Sequence, residues 1–170
     1  FIIISLRRPI RQGQSSHTYL VISADSDEEL QMRGMEREWT VGEAIINLFE
    51  QAGNITQVPH NGFFENDRSE NGFASTYKSK SGFLYLTNSC FLYIYNPVVK
   101  IMFENVTSVE FENYSKNKGR SDRRFRIIVR AKNKKHVFDQ IAIVEIVKVF
   151  QFLVSKRIKI EQLEDITNFV

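Results

Sequence analysis

GFLYLTNSCFLYIYNPVVKIMFENVTSVEFEN, residues Gly82 to Asn113, reads as a run of strands. Phe83 and Tyr85 project to one side while Leu84 and Leu86 project to the other. Phe91, Tyr93 and Tyr95 then oppose Leu92 and Ile94. Strict alternation rich in aromatic and β-branched residues is the period-2 signature of half-buried strands. Thr87, Asn88 and Ser89 supply a turn, and Asn96–Pro97 ends the second strand. A third strand near Val99 to Phe103 and a fourth near Val106 to Asn113 continue the meander. The rest of the chain is expected to close this sheet into a barrel or sandwich.

Downstream, Lys116 to Asp122 is a polar loop containing Gly119. Arg124, Arg126, Ile128 and Arg130 alternate with Phe125, Ile127, Val129 and Ala131, giving a strand with one buried face and one mainly of arginine. A turn at Asn133 leads into a strand from His136 to Ile141. Ile143 to Val154 is read as a helix, apolar at 143, 146, 147, 150, 153 and 154. It is expected to cover an open end of the sheet, with Phe150 and Leu153 among the most buried residues. Upstream, Ala74 to Lys78 is the first strand of this unit, and residues 54–72, with Pro59, Asn61, Gly62 and NDRSENG, read as a linker.

The N-terminal part is shorter in regular structure. Phe1 to Leu6 is an apolar strand, Arg7 to Gln14 a basic loop broken by Pro9 and Gly13, and Tyr19 to Ser23 the returning strand. Ala24 to Glu38 is an acidic loop. Thr40-Val41-Gly42-Glu43 matches a capping box, followed by Val41, Ile45, Leu48, Phe49 and Ala52 at helical spacing, with Gly53 at the C-terminal position. Trp39 before the cap fits a hydrophobic staple.

The 170 residues, 42% hydrophobic and 25% charged, are those of an ordinary globular protein with an adequate core. No apolar run reaches the ~18 residues of a membrane span. The chain opens at Phe1 within a strand-like run, as a piece cut from a longer protein would. A single cysteine, Cys90, excludes an internal disulfide and suits a reducing compartment. The net charge of +3 hides an asymmetry: Lys116 to Lys135 holds ten Lys or Arg and one acid, and the remaining 150 residues carry −6. A basic face on an acidic body suits an anionic or mixed-charge partner.

Catalytic signatures are missing from the sequence. The glycines stand singly, with no phosphate-cradling loop. His17, His60 and His136 are far apart, and one cysteine builds no zinc site. No nucleophile elbow is present. No cofactor, metal, small-molecule substrate or membrane is expected. Cys90 reads as a structural residue and His136 as a surface one. The arginine strand reads either as a solvated face or as a binding face.

Seven strands and a closing helix are the order of a pleckstrin-homology barrel. The expected fold class is therefore mostly β with C-terminal capping helices: tandem pleckstrin-homology-like barrels, the first incomplete. The expected boundaries are the back part of a first domain at 1–58, a linker at 59–72, a second domain at 73–160 and a tail at 161–170.

PIRQGQSSHTYLVI (Pro9 to Ile22) and the following DSDEEL resemble a hairpin region of the FACT histone chaperone small subunit, the structure-specific recognition protein family. SGFLYLTNSCFLYIYNPVVKIMFENVTSVEF resembles that family's second pleckstrin-homology domain, and VFDQIAIVEIVKVFQFLVSKRIKI its closing helix and tail. The resemblance implies the middle region of a nuclear, chromatin-associated, nucleosome-reorganising chaperone. Such a module binds core histones and the large FACT subunit, and acts in transcription and replication without catalysis. Arg120, Arg123, Arg124, Arg126, Lys132, Lys134 and Lys135 are the expected histone or DNA contacts. Arg7, Arg8, Arg11 and Gln12 are a secondary partner contact, expected to be exposed. A nucleic-acid-binding domain and a lipid-binding domain are the alternatives. In the lipid reading Lys78 and Lys80 fit the basic residues such sites need on the first strand, but Gly82 to Leu86 carries none on the second, which weakens it.

Overall fold

The structure, a computed structural model, describes residues 2–23, 29–30, 39–52, 64–112 and 124–161. The chain divides into two compact units, Phe1–Pro59 and His60–Val170.

In the first unit, β1 (Ile2–Gln12) and β2 (Ser15–Ile22) form an antiparallel ribbon. The basic stretch expected to be a loop is strand up to Gln12, which pairs with Ser15 across a two-residue turn. Gly13 holds that turn with φ 59°, a left-handed value glycine adopts without steric cost. The ladder slips between Ser5 and Ile10, around Pro9, which has no N–H to donate. Arg7, Arg8, Arg11 and Gln12 are all exposed.

β3 (Glu29–Leu30) pairs with β4 (Trp39–Thr40), which runs directly into α1 (Val41–Ala52). The capping box forms: the Glu43 N–H donates to Thr40 Oγ1 at 3.2 Å, and the Thr40 N–H donates to the Glu43 carboxylate at 3.1 Å. The apolar stripe of α1 is buried less than its spacing suggested, since Ala44 is buried but Leu48 is 55% exposed. Gly53 and most of the acidic loop lie outside the described residues.

The second unit begins before its first strand. Phe64 is in the core, and its N–H donates to the Leu86 carbonyl. Residues 66–70 look like linker because they are polar, but they satisfy one another. Asn66 Oδ1 accepts the N–H groups of Arg68 and Glu70, and its Nδ2 donates to Glu70 and to the Gly72 carbonyl. This Asx-type turn fixes the entry into β5.

There follow β5 (Gly72–Tyr77), β6 (Lys80–Leu86), β7 (Cys90–Ile94), β8 (Val99–Met102), β9 (Val106–Glu112), β10 (Arg124–Ala131) and β11 (Lys134–Ala142). Their hydrogen-bonded order is β8-β7-β6-β5-β11-β10-β9. The two outermost strands, β8 and β9, are joined by only the three-residue turn Phe103–Asn105. A flat seven-stranded sheet would be about 29 Å wide at ~4.8 Å per strand, and three residues reach roughly 10 Å. The sheet must therefore curl. It makes the incompletely closed barrel of the pleckstrin-homology type.

Inside the curl the alternation is as read: Leu84, Leu86, Phe91 and Tyr93 point inward with Val109, Phe111, Phe125, Ile127, Val129, Phe138 and Ile141. The closing helix begins later than its apolar pattern suggested. Ile143–Glu145 is a 3-10 turn and α2 spans Ile146–Ser155. Ile146, Val149, Phe150 and Leu153 face the core, whereas Val144 and Val154 are 58% and 49% exposed. Leu153 and Val149 are fully buried, and Phe150, at 9%, lies at the margin of the core. Arg157 ends the helix in a left-handed conformation, with Arg157 N–H bonded to Val154 and Ile158 N–H to Leu153, a Schellman motif. The chain then returns to β9, where Ile160 bridges Val109 in parallel.

Candidate functional site

Arg124, Arg126, Ile128 and Arg130 line the outer face of β10, beside the outer faces of β9 and β11. Antiparallel registry puts Glu112 across from Arg126, and Glu110 across from Ile128, one step from Arg130. Arg126 donates from Nε and Nη2 to Asp139 at 3.0 and 2.5 Å, and from Nη1 to Glu112 at 3.3 Å. Arg130 donates to the Glu110 carboxylate. Between the two arginines, Ile128 points outward yet is 1% exposed.

The acids respond to these partners. The hydrogen bond from Arg130 lowers the Glu110 carboxyl from its ordinary value. Burial alone would raise Asp139, but the bonds from Arg126 and from the Gln140 N–H outweigh it and hold Asp139 low. The arginine face is thus matched by carboxylates on both flanking strands.

The expected site residues separate. Arg120 and Arg123 lie outside the described residues. Arg124 is exposed at the start of β10, with Nη1 3.4 Å from the Gln140 carbonyl. Eight positions along, at the other end of the strand and roughly 27 Å away at ~3.4 Å per residue, Lys132 opens the turn into β11. Lys132, Lys134 and Lys135 are exposed around it. A basic run in sequence is therefore not one patch in space. Arg7, Arg8, Arg11 and Gln12 belong to the ribbon of the other unit.

The fold adds two lysines that the basic run did not contain. Tyr77 pairs with Phe138 and Thr76 with Asp139, antiparallel. The β5–β6 turn, Lys78–Ser79, therefore leaves β5 in the direction from which β11 arrives. Both turns have left-handed residues at their two central positions, Lys78 and Ser79 in one and Lys132 and Asn133 in the other. Lys78, Lys80, Lys132, Lys134 and Lys135 thus stand on adjoining turns. Among the described residues none of the five has an ion-pair partner.

Beneath these lysines lies an aromatic floor. Tyr77 packs on Phe138, Tyr93 and His136 with centroids 5.3, 5.6 and 6.0 Å apart, and its hydroxyl is 3.0 Å from His136 Nδ1. The Tyr93 hydroxyl donates to the Lys80 carbonyl at 2.6 Å, which ties the floor to the β5–β6 turn. Burial, then Lys134 and Lys78, lower the His136 imidazole from its ordinary value. Two lysines on different turns therefore act on one ring. The signal that could have found this pairing was the repeated K-x-K turn, Lys78-Ser79-Lys80 and Lys132-Asn133-Lys134, each after a strand.

At the other end of the β5–β6 hairpin sits α2. Lys148 pairs with Asp67 at 2.9 Å and Lys156 bonds the Asn88 side chain at 2.7 Å. Among the described residues no group of three or more His, Cys, Asp or Glu could hold a metal, and no helix is long and apolar enough to cross a membrane.

A curled seven-stranded sheet closed by a C-terminal helix is a β-barrel of the pleckstrin-homology class. A family model described as "Histone chaperone Rttp106-like, middle domain" matches residues 71–162, more than half of the chain. The chain belongs to this histone chaperone family, which is related to the middle region of the structure-specific recognition protein family that the sequence resembles. No curated protein matches the chain.

Proposed function

We propose that this chain is a core-histone-binding module of a nuclear, nucleosome-reorganising chaperone that acts during transcription and replication through chromatin, in the manner of FACT. The observation that carries the reading is the family match over residues 71–162. The module works by binding rather than catalysis, and the large subunit of a FACT-type complex is its natural assembly partner. Fluorescence titration of labelled core histones with the chain, taking each of the two histone pairs separately, tests it. Saturable binding near physiological salt, competitive with DNA for the histones, is expected. Failure to bind either histone pair would refute it.

DNA is a second reading, favoured by the five lysines on adjoining turns. Histones are basic, so lysines are suited to an anionic element of the substrate: DNA phosphates or an acidic histone surface. Arg124, at the far end of β10, and Arg120 and Arg123, which lie outside the described residues, complete the proposed contact set. Arg126 contributes less, because its charge is matched by Asp139 and Glu112. The ribbon with Arg7, Arg8, Arg11 and Gln12 remains a proposed secondary contact. The proposed boundaries place the incomplete first domain at 1–58, the linker at 59–72, the second domain at 73–160 and the tail at 161–170, with Phe64 of the linker packed into the second domain's core.

A further inference from the structure

From Arg7 to Thr18 every residue of the β1–β2 hairpin is exposed, so both faces of its outer half are open to solvent. Ile10 is among them, at 54%. Residues 2–22 contain no Asp or Glu, and among the described residues Arg7, Arg8 and Arg11 have no ion-pair partner. The ladder passes from Ser5–Tyr19 to Ile10–His17, so residues 6–9 of β1 bulge opposite Thr18 alone. That bulge carries Arg7 and Arg8. Beyond it the strands pair again, Arg11 with Ser16 and Gln12 with Ser15, and Gly13 turns the tip without adding a side chain.

We infer that this ribbon tip enters the major groove of duplex DNA. The groove is about 12 Å wide and about 8.5 Å deep, and it admits a two-stranded ribbon. Two strands about 4.8 Å apart, with side chains along both edges, fill that width. A groove also covers both faces of what enters it, and this tip is open on both. An acidic protein surface would cover one face and leave the other in water. From Gln12 back to Arg8 the strand runs roughly 14 Å at about 3.4 Å per residue, which exceeds the depth of the groove. Arg11 and Gln12 therefore reach base edges, while Arg7 and Arg8 stay at the rim among the phosphates. Arginine matches the two acceptors of guanine, glutamine matches adenine, and an exposed Ile10 suits a thymine methyl group.

The inference rests on the secondary contact proposed for the ribbon and names its partner; its test needs no histone. Three full-length proteins are titrated with a 20-base-pair duplex across a range of salt. They are the wild type, a ribbon variant with Arg7→Gln, Arg8→Gln and Arg11→Gln, and a lysine variant with Lys78, Lys80, Lys132, Lys134 and Lys135 changed to Gln. Dimethyl sulfate then reads the accessibility of guanine N7, which faces the major groove. With Arg7 and Arg8 on phosphates, the ribbon variant should have a salt slope shallower by about 1.8, at about −0.9 per phosphate. It should also bind at least tenfold more weakly at low salt, with an unchanged Tm. Protection of N7 should persist in the lysine variant and vanish in the ribbon variant. A ribbon variant that loses affinity although N7 stays fully reactive in the wild-type complex would leave the ribbon as a contact and overturn groove entry. A glutamate-rich peptide that binds through the three arginines, with duplex affinity unchanged by their loss, would assign the contact to an acidic protein and overturn it as well. A ribbon variant that matches the wild type toward both duplex and peptide would remove the secondary contact itself.

Discussion

Replacing Arg126 by Met separates an arginine that holds the sheet together from one that waits for a partner. Met keeps an aliphatic stem beside Ile128 but removes the cation from Asp139 and Glu112. The side chains of Arg126, Asp139 and Glu112 are 33%, 27% and 40% exposed, so solvent screening limits each pair to about 0.2–1 kcal/mol. Leaving the more buried Asp139 with only the Gln140 N–H adds about 1 kcal/mol. The sum is about 2 kcal/mol, or roughly 8–16 °C in Tm for a domain of this size. The pH dependence carries the same information. Asp139 is held below its ordinary 3.8, so its contribution is present above that pH and lost as pH falls through the depressed value. In the variant, burial acts without Arg126 and the carboxyl titrates higher. The gap between the two proteins should therefore narrow as pH falls toward 3.8 and on through the depressed value. Urea unfolding at pH 7.5, 5 and 3.5 measures it. An unchanged Tm together with lost histone or DNA binding would refute the reasoning, because Arg126 would then serve a partner.

Other substitutions probe the remaining links. A methyl group at Gly82 would lie 2.5 Å from the Ile94 carbonyl and 2.6 Å from the Tyr93 hydroxyl, so Gly82→Ala should displace the Tyr93–Lys80 bond and cost about 1–3 kcal/mol. Thermal melting and the Tyr93 near-ultraviolet signal read this. Leu153→Ala empties a fully buried position and should cost about 2–5 kcal/mol by urea unfolding, against under 0.5 kcal/mol for Val154→Thr on the exposed side. Burial raises the Glu145 carboxyl above 4.5, so that its stabilising share is complete below pH 4.5 and lost as pH rises through the raised value. Glu145→Gln should therefore gain stability at pH 7 and no longer differ from the wild type near pH 4.

The strands were legible because period-2 alternation is local: Leu84, Leu86, Phe91 and Tyr93 face inward as their spacing requires. The Thr40–Glu43 box was legible for the same reason. Residues 66–70 were not, since composition cannot distinguish a solvated linker from a turn in which Asn66 bonds its own neighbours. The ribbon at 7–12 misled in the opposite way, because arginine and proline suggest a loop while a bulged edge ladder tolerates both. The site was the least legible part. Whether Arg126 is free depends on strand registry with Glu112 and on Asp139 thirteen residues downstream. The alternation in Val109-Glu110-Phe111-Glu112 does place acids on the outer face, and an antiparallel neighbour would bring them to the arginines. The meeting of Lys78 with Lys134 depends on β5–β11 pairing, which no local pattern encodes.

The central claim is that a histone chaperone module presents its anionic contact on the lysine turns rather than along the arginine strand. The salt dependence of duplex binding tests it most directly, for the wild type, for Lys78, Lys80, Lys132, Lys134 and Lys135 all changed to Gln, and for Arg126 and Arg130 changed to Gln. Each phosphate neutralised contributes about −0.9 to the slope of log affinity against log salt. The lysine variant should lose about three to five such contacts, while retaining its histone affinity. The arginine variant should keep the wild-type slope and lose stability instead. A slope that is unchanged in the lysine variant and falls in the arginine variant would contradict the account.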